Sequence, residues 1–348
     1  MRLKTLALAI FFLVPPGLGV AQNFSQSTKS IVGGIEGTKP FWPSLVAVMV
    51  QQQAVDEQGL NNFIQICTGA VVAPNKILTA GHCAFSSKAG RSQRAKPEEI
   101  IVLVGANNVN FRGGDRTLST LSSDANEALR VAEVAVHEQY EGPDRAVPFD
   151  FAVLTLETST TATPARLAPP SSCALASLPE VDFVTAVGYG ANTTTDTFTG
   201  TGIFRELPIE VLDANCVGSN KCLKDREIFA AGFGNTNPAA GDSGSPLFVE
   251  TEEGQILVGV MSREEARRNG EDLPEDVFSG PDAAFAYGRT DAAWDFILDN
   301  VDQAQLDEEV CVVESSGCNS SSSSGSFILL LALSFVARLR KTTISSSI

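Results

Sequence analysis

The sequence predicts an all-β fold of two modules, closed by one helix near the C-terminus. Apolar residues rich in Val, Ile and Leu recur in short runs at 45–50, 64–72, 100–104, 131–136, 151–156, 181–187, 209–212, 247–249 and 256–261. Polar stretches carrying Gly, Pro, Asn and Asp separate these runs, and helical periodicity is nearly absent between Ile31 and Gly288. Many short strands with turn signals indicate a sandwich or barrel. At 348 residues, 43% hydrophobic and 19% charged, the chain favours two β-modules over one.

In chain order, residues 1–21 read as a secretory signal peptide. Arg2 and Lys4 form a positive start, residues 6–14 are apolar but too short to span a bilayer, and Gly19-Val20-Ala21 offers small residues for cleavage after Ala21. Export leads to an oxidising compartment, where disulfides persist, so a secreted or extracellular protein is expected. Residues 22–30 are polar and read as a pro-segment, and 31–302 form the folded region. Trp294, Ile297, Leu298 and Val301 recur at helical spacing, with Thr290 or Asp291 as the expected N-cap. Residues 303–326 form an acidic, then Ser-rich linker. In the tail, 327–348, the apolar run at 327–337 has 11 residues, short of the ~20 a spanning helix needs. Arg338, Arg340 and Lys341 follow it. No internal repeat is visible at a fixed period.

With 25 basic and 41 acidic residues the net charge is −16, which disfavours nucleic acid and anionic lipid as partners. The seven cysteines are Cys67, Cys83, Cys173, Cys216, Cys222, Cys311 and Cys318, an odd number, so at least one does something other than pair internally. There is no C-x-x-C, and the chain has two histidines. Neither a zinc site nor a cofactor is expected, and no acidic loop supports a calcium site.

Two histidines leave two candidates for an imidazole base at neutral pH. His82 follows an apolar run in Leu78-Thr79-Ala80-Gly81-His82-Cys83, and His137 ends another in Ala135-Val136-His137-Glu138. Alone, either is more often structural. Gly241-Asp242-Ser243-Gly244-Ser245-Pro246 precedes the run Leu247-Phe248-Val249. Its glycines let the backbone turn sharply around a serine and let N–H groups point at a developing oxyanion. Asp150 stands ahead of Phe151-Ala152-Val153-Leu154, and a carboxylate at the edge of a buried strand needs a donor. In isolation it reads as a strand-end turn residue.

Together these residues run in the order His, Asp, Ser, one of the known chain orders of a catalytic triad. The sequence here resembles the chymotrypsin/trypsin family of serine proteases over roughly 31–301. Ile31-Val32-Gly33-Gly34 looks like that family's mature N-terminus, and Pro40-Phe41-Trp42-Pro43 like the entry to its first strand. Cys67-Thr68-Gly69-Ala70-Val71-Val72, Thr79-Ala80-Gly81-His82-Cys83, Asp150-Phe151-Ala152-Val153-Leu154 and Gly188-Tyr189-Gly190 are similar to further family motifs. His137-Glu138-Gln139-Tyr140 resembles a non-catalytic segment, which assigns the second histidine to structure.

The resemblance implies two six-stranded antiparallel β-barrels with a boundary near 155–170 and a C-terminal helix. It implies a serine endopeptidase acting on proteins or peptides, with Ser243 as nucleophile, His82 as base and Asp150 orienting the base. The oxyanion would meet the N–H groups of Gly241 and Ser243. Ser262 matches a position that buttresses the aspartate and borders the substrate backbone. Cleavage between Ser30 and Ile31 by an activating protease would free an α-ammonium to pair with Asp242 in the interior. Ser30 is neither arginine nor lysine, so a trypsin-like activator is not indicated.

Cys67 and Cys83 match the family's disulfide beside the histidine. Where the family's other bridges are missing, Cys216 is expected to pair with Cys222, and Cys173 with Cys311. Asn237 stands at the pocket-floor position and Ala283 at another pocket-lining one. A neutral amide at the floor points to small or apolar substrate side chains. Residues 263–280 are read as a long charged loop at the pocket edge, where Glu264, Glu265 and Asp272 offer a cation an acidic rim.

Cys318 is left over and opens the Ser-rich stretch. From there the chain resembles bacterial C-terminal sorting signals, which implies processing near Cys318 and surface anchoring. The rival reading is a catalytically inactive protease scaffold that serves as a binding protein at the cell surface.

Overall fold

The computed structural model describes residues 34–37, 41–56, 59–88, 91–111, 121–143, 149–191, 201–218, 221–232, 236–252, 254–267 and 283–309. The expected signal peptide, the pro-segment, Ile31, most of the linker, the tail, Cys311 and Cys318 lie outside these residues, as does the segment Cys311–Ile348, which separates from Met1–Val310 as a second unit.

Twelve strands build the body. The first six are β1 (Leu45–Asp56), β2 (Gly59–Ala73), β3 (Lys76–Thr79), β4 (Ile100–Val104), β5 (Glu127–Val136) and β6 (Ala152–Leu156). They pair antiparallel in the cyclic order β1-β2-β3-β6-β5-β4 and back to β1. The second six are β7 (Phe183–Gly188), β8 (Arg205–Asp213), β9 (Glu227–Ala231), β10 (Pro246–Thr251), β11 (Gly254–Arg267) and β12 (Ala283–Arg289). They close in the same order, β7-β8-β9-β12-β11-β10 and back to β7. The fold is therefore two closed six-stranded antiparallel barrels of identical strand order. The repeat is one of topology, and so left no periodic trace in the sequence.

Closure removes sheet edges, and most barrel strands are correspondingly apolar. Val46, Val48, Val71, Ile77, Val102 and Leu154 are buried in the first core. Ile209, Ile228, Leu247, Val258, Phe285 and Tyr287 are buried in the second. Val187, Tyr189, Phe204 and Phe248 from the second module join the first core, so the seam between barrels is itself packed.

The closing helix, α2 (Trp294–Asn300), follows a short α1 (Cys173–Ser177). α2 turns back onto the first barrel, with Phe296 against His137 at 5.0 Å between ring centroids. Its N-cap departs from expectation: Ala293 occupies the position without a side-chain cap. Thr290 instead donates to the carbonyl of Ala168 at 2.9 Å, and Asp291 accepts two bonds from Arg289. Tertiary partners hold both side chains away from the helix end.

The charged segment expected as a loop from residue 263 is a correction as well. β11 continues through Arg267, paired to β12, so only 268–282 lie between the strands, outside the described residues. Beyond α2, Asp307 and Glu309 bond the backbone of Leu167, and the Glu309 carboxylate accepts from Ser172 and the Ala174 N–H, which ties the segment to α1.

Candidate active site

Three chain turns meet where the barrels touch. The first is a single 3-10 turn, Gly81–Ala84, directly after β3. It carries His82, and the Cys67–Cys83 disulfide staples it to β2. Gly81 is buried against Asp150, with its ideal Cβ position 3.0 Å from Asp150 Oδ1, so a side chain there would press on that carboxylate.

The second turn precedes β6. Phe149 holds φ +62, a left-handed conformation that is strained for a bulky side chain. Its ring is clamped: His137 stacks on it at 4.3 Å with 5° between planes, and the Arg226 guanidinium lies 4.9 Å from its centroid. The next residue, Asp150, is 7% exposed. Its Oδ2 meets His82 Nδ1 at 2.8 Å, its Oδ1 accepts the His82 backbone N–H at 2.8 Å, and Ser262 Oγ donates to Oδ2 at 2.6 Å.

Electrostatics follow from that geometry. Burial disfavours the imidazolium, but the Asp150 charge and hydrogen bond outweigh it, and the His82 pKa is raised above its ordinary value. Burial likewise disfavours the Asp150 carboxylate, yet His82 and then Ser262 outweigh burial and hold its pKa below the ordinary value. The second histidine behaves otherwise. His137 Nδ1 accepts the Gln139 N–H at 3.2 Å, and burial lowers its pKa, so it is a neutral packing group.

The third turn, Gly241–Ser245, leads into β10. Gly241 and Gly244 take φ +103 and +79. A Cβ at Gly244 would stand 2.2 Å from Thr79 Oγ1 and 2.3 Å from the Thr68 carbonyl. The Ser243 carbonyl accepts the Thr68 N–H at 2.8 Å, and Gly244 N–H donates to Met261 at 2.8 Å. Ser243 is thus fixed between β2, the residues just before His82, and the residue before Ser262. The Gly241 carbonyl accepts from Thr68 Oγ1 at 3.0 Å, and no partner takes the N–H groups of Gly241 or Ser243 among the described residues.

Asp242 turns its side chain inward, away from this surface. Oδ1 accepts the Gly190 N–H and Oδ2 the Ala239 N–H, both at 2.8 Å.

Asn237 is buried, and its Oδ1 accepts the Gly232 N–H at 3.1 Å. Ala283 begins β12 and is buried on the same interior cluster as Phe285 and Tyr287. Of the expected bridges, Cys67–Cys83 and Cys216–Cys222 are formed. Cys173 is disulfide-bonded too, while Cys311, its expected partner, lies outside the described residues. Donor atoms of Cys67, His82 and Cys83 lie within 4.8 Å of one another, but both sulfurs are spent in the disulfide and offer no thiolate to a metal.

Several contributors went unnoticed in the sequence. The Thr68 hydroxyl ties β2 to the Gly241 carbonyl of the serine turn and accepts the Tyr189 N–H, and the Thr79 hydroxyl ties β3 to the Thr68 carbonyl. Arg263, next to Ser262, grips buried Glu227 at 2.5 and 3.0 Å and Glu265 at 2.6 Å. A threonine or arginine in a strand has no local pattern that announces such partners.

Comparison with known proteins gives a consistent picture. The trypsin family model matches residues 31–278. The chain is 29% identical to a trypsin of Saccharopolyspora erythraea over 67% of this chain and 86% of that protein. It is 25% identical to chymotrypsin-like elastase family member 1 of Macaca fascicularis, over 65% and 76% respectively. It is 28% identical to the proclotting enzyme of Tachypleus tridentatus, over 72% and 63%.

Proposed function

Because this chain belongs to the trypsin family and is a serine endopeptidase, we propose that Ser243, His82 and Asp150 carry its chemistry. The observation that carries this reading is the fixed imidazole. Asp150 accepts from both the ring Nδ1 and the backbone N–H of His82, which selects the tautomer whose Nε2 is a free base. His82 Nε2 takes the Ser243 proton as Oγ bonds to the peptide carbonyl carbon. The N–H groups of Gly241 and Ser243 stabilise the resulting oxyanion, each by about 3 kcal/mol. As the C–N bond breaks, the same proton passes to the leaving amine. Water then attacks the acyl-enzyme by the reverse sequence, releasing the acid and restoring Ser243.

The substrates are proteins or peptides. Asn237, a neutral amide, disfavours a cationic side chain at the pocket floor, so small or apolar residues precede the cut. The chain is exported and made as a zymogen. An activating protease cuts between Ser30 and Ile31, and the new ammonium joins Asp242. That a relative is named a proclotting enzyme supports such activation. The tail anchors the mature enzyme at the cell surface after processing near Cys318.

A fluorophosphonate probe tests the nucleophile. The activated protein should gain one adduct, mapped to Ser243, and lose hydrolysis of a protein substrate in step. Ser243→Ala should gain none. An unlabelled, inert protein would mean a binding scaffold. Labelling with cleavage of esters but not of proteins would mean an esterase.

A further inference from the structure

A cavity of about 310 Å3 opens at the seam of the barrels, apart from the residues that contact His82 and Ser243. Trp42, Tyr189 and Phe204 supply its aromatic lining, and Asn126, Glu127 and Thr161 its polar edge. The size lies at the lower end for ligand sites.

Two features give it a chemical preference. The Glu127 Oε1 accepts from Thr160 Oγ1 at 3.0 Å, the Thr161 N–H at 3.1 Å and Thr161 Oγ1 at 2.8 Å. All three bonds fall on one oxygen, so Oε2 has no protein partner among the described residues. Burial would raise the pKa of this carboxyl, but the threonine donors outweigh it and hold the pKa below the ordinary value. Glu127 is therefore an ion at neutral pH, presenting one unused oxygen.

Trp42 is the second feature. Its Nε1–H donates to the Glu206 carboxylate, and its ring rests on Phe248 at 5.0 Å between centroids. The indole is locked in place, and donation to an anion enriches its π-system, the property that draws cations to a ring face.

We propose that this cavity is an exosite for the side chain of a lysine or arginine on a bound polypeptide. The aliphatic stem runs over the accessible Pro43 and Ala162 of the lining, above the buried Tyr189 and Phe204, and the cationic head lies between the indole and Glu127. The net charge of −16 on the chain favours approach of a basic partner. The site does not depend on the roles assigned to Ser243 and His82.

Full-length Ser243→Ala protein with 15N-labelled indoles provides the test. The chain has two tryptophans, so Trp42 gives one of two indole signals, identified by Trp294→Phe. The probes are capped peptides Gly-Gly-X-Gly-Gly at millimolar concentration, with X as lysine, arginine or norleucine. The Trp42 signal should shift saturably with the lysine or arginine peptide, and norleucine should bind at least about fivefold more weakly. Glu127→Gln, which keeps the acceptor for the threonines, should weaken the basic peptides by a similar factor and leave hydrolysis of a small substrate by the Ser243-intact enzyme unchanged. No saturable shift, equal binding of norleucine, or no effect of Glu127→Gln would each overturn the proposal. The norleucine comparison needs no substitution at the site, so it decides even if Glu127→Gln misfolds.

Discussion

The Asp242 carboxylate accepts the backbone N–H of Gly190 at 2.8 Å, so the residue before Ser243 is anchored just past the end of β7. The seat exists because Gly188 and Gly190 lack side chains: a Cβ on either would stand 2.1 or 2.2 Å from an Asp242 oxygen. Burial dominates the electrostatics of the seat. It pushes the Asp242 pKa up to about 7, against the Ala239 and Gly190 N–H groups and the charge of Arg205.

That shift makes the stability of the uncleaved protein depend on pH in a stated direction. Asp242 has a folded pKa of about 7 against ~3.9 unfolded. Between those values the folded state keeps a proton that the unfolded state has released, so this contribution to stability is full below pH ~4 and is lost as pH rises towards 7. The loss is on the order of 4 kcal/mol. Urea unfolding at several pH values should show that slope, and Asp242→Asn should flatten it. After the proposed cleavage before Ile31, the same variant should stay folded but lose most activity. A pH slope identical in the two proteins would remove the assignment.

Gly244→Ala tests the packing of the serine turn. The new methyl would meet Thr79 Oγ1, the Thr68 carbonyl and the Ala80 nitrogen at 2.2, 2.3 and 2.9 Å, with φ at +79. Backbone cannot yield cheaply, so a loss of at least about 3 kcal/mol is expected. Gly254→Ala is the control. It has φ +117 but nothing within 4 Å, so it should show the conformational penalty alone, about 1–2 kcal/mol. Thermal unfolding of the two variants should separate clash from strain.

Much of this was legible in the sequence, and the reason is local. The run at 100–104 is β4 itself (Ile100–Val104), and 151–156 is β6 to within one residue, because buried strands are written as continuous apolar stretches. Asp150 and His82 were legible as residue types, but their two-point contact was not, since it depends on Phe149 holding φ +62 under His137 and Arg226. The hairpin of Phe85–Lys88 and Arg91–Arg94 was missed because its sequence is polar. β11 extends into charged residues for a similar reason: Arg263 finds Glu227 across the fold, and no window along the chain reports such a pairing.

Asp150→Asn should separate orientation from basicity. The amide retains shape but removes the charge that holds the His82 pKa above its ordinary value, leaving burial to lower it. If the proposed triad operates, the acidic limb of kcat/KM should therefore move to lower pH, with activity down by about 10^4-fold, as when the carboxylate of a Ser-His-Asp triad is amidated. Ser262→Ala removes one donor at 2.6 Å and should cost only about tenfold, the limb staying near its place. A limb that does not move in Asp150→Asn would mean that another group sets it.

Arg263→Met should be more damaging than Glu227→Gln with Arg263→Met combined. Glu227 is 3% exposed and holds Arg263 through two bonds, while the Leu223 N–H donates to Oε2 at 2.8 Å. The pair gives Arg263 a pKa above its ordinary value despite burial. Removing arginine alone strands an ionised carboxylate in the second barrel, a loss of about 3–5 kcal/mol. Neutralising both partners removes the stranded charge and should recover at least half of that loss. Because Arg263 adjoins Ser262, the single variant should also raise KM for extended peptides more than for single-residue substrates, as β11 loosens beside Asp150. A double-mutant cycle by urea unfolding measures the first effect and steady-state kinetics the second. Additive losses in the cycle would show that Arg263 stabilises the barrel through its aliphatic stem rather than through Glu227.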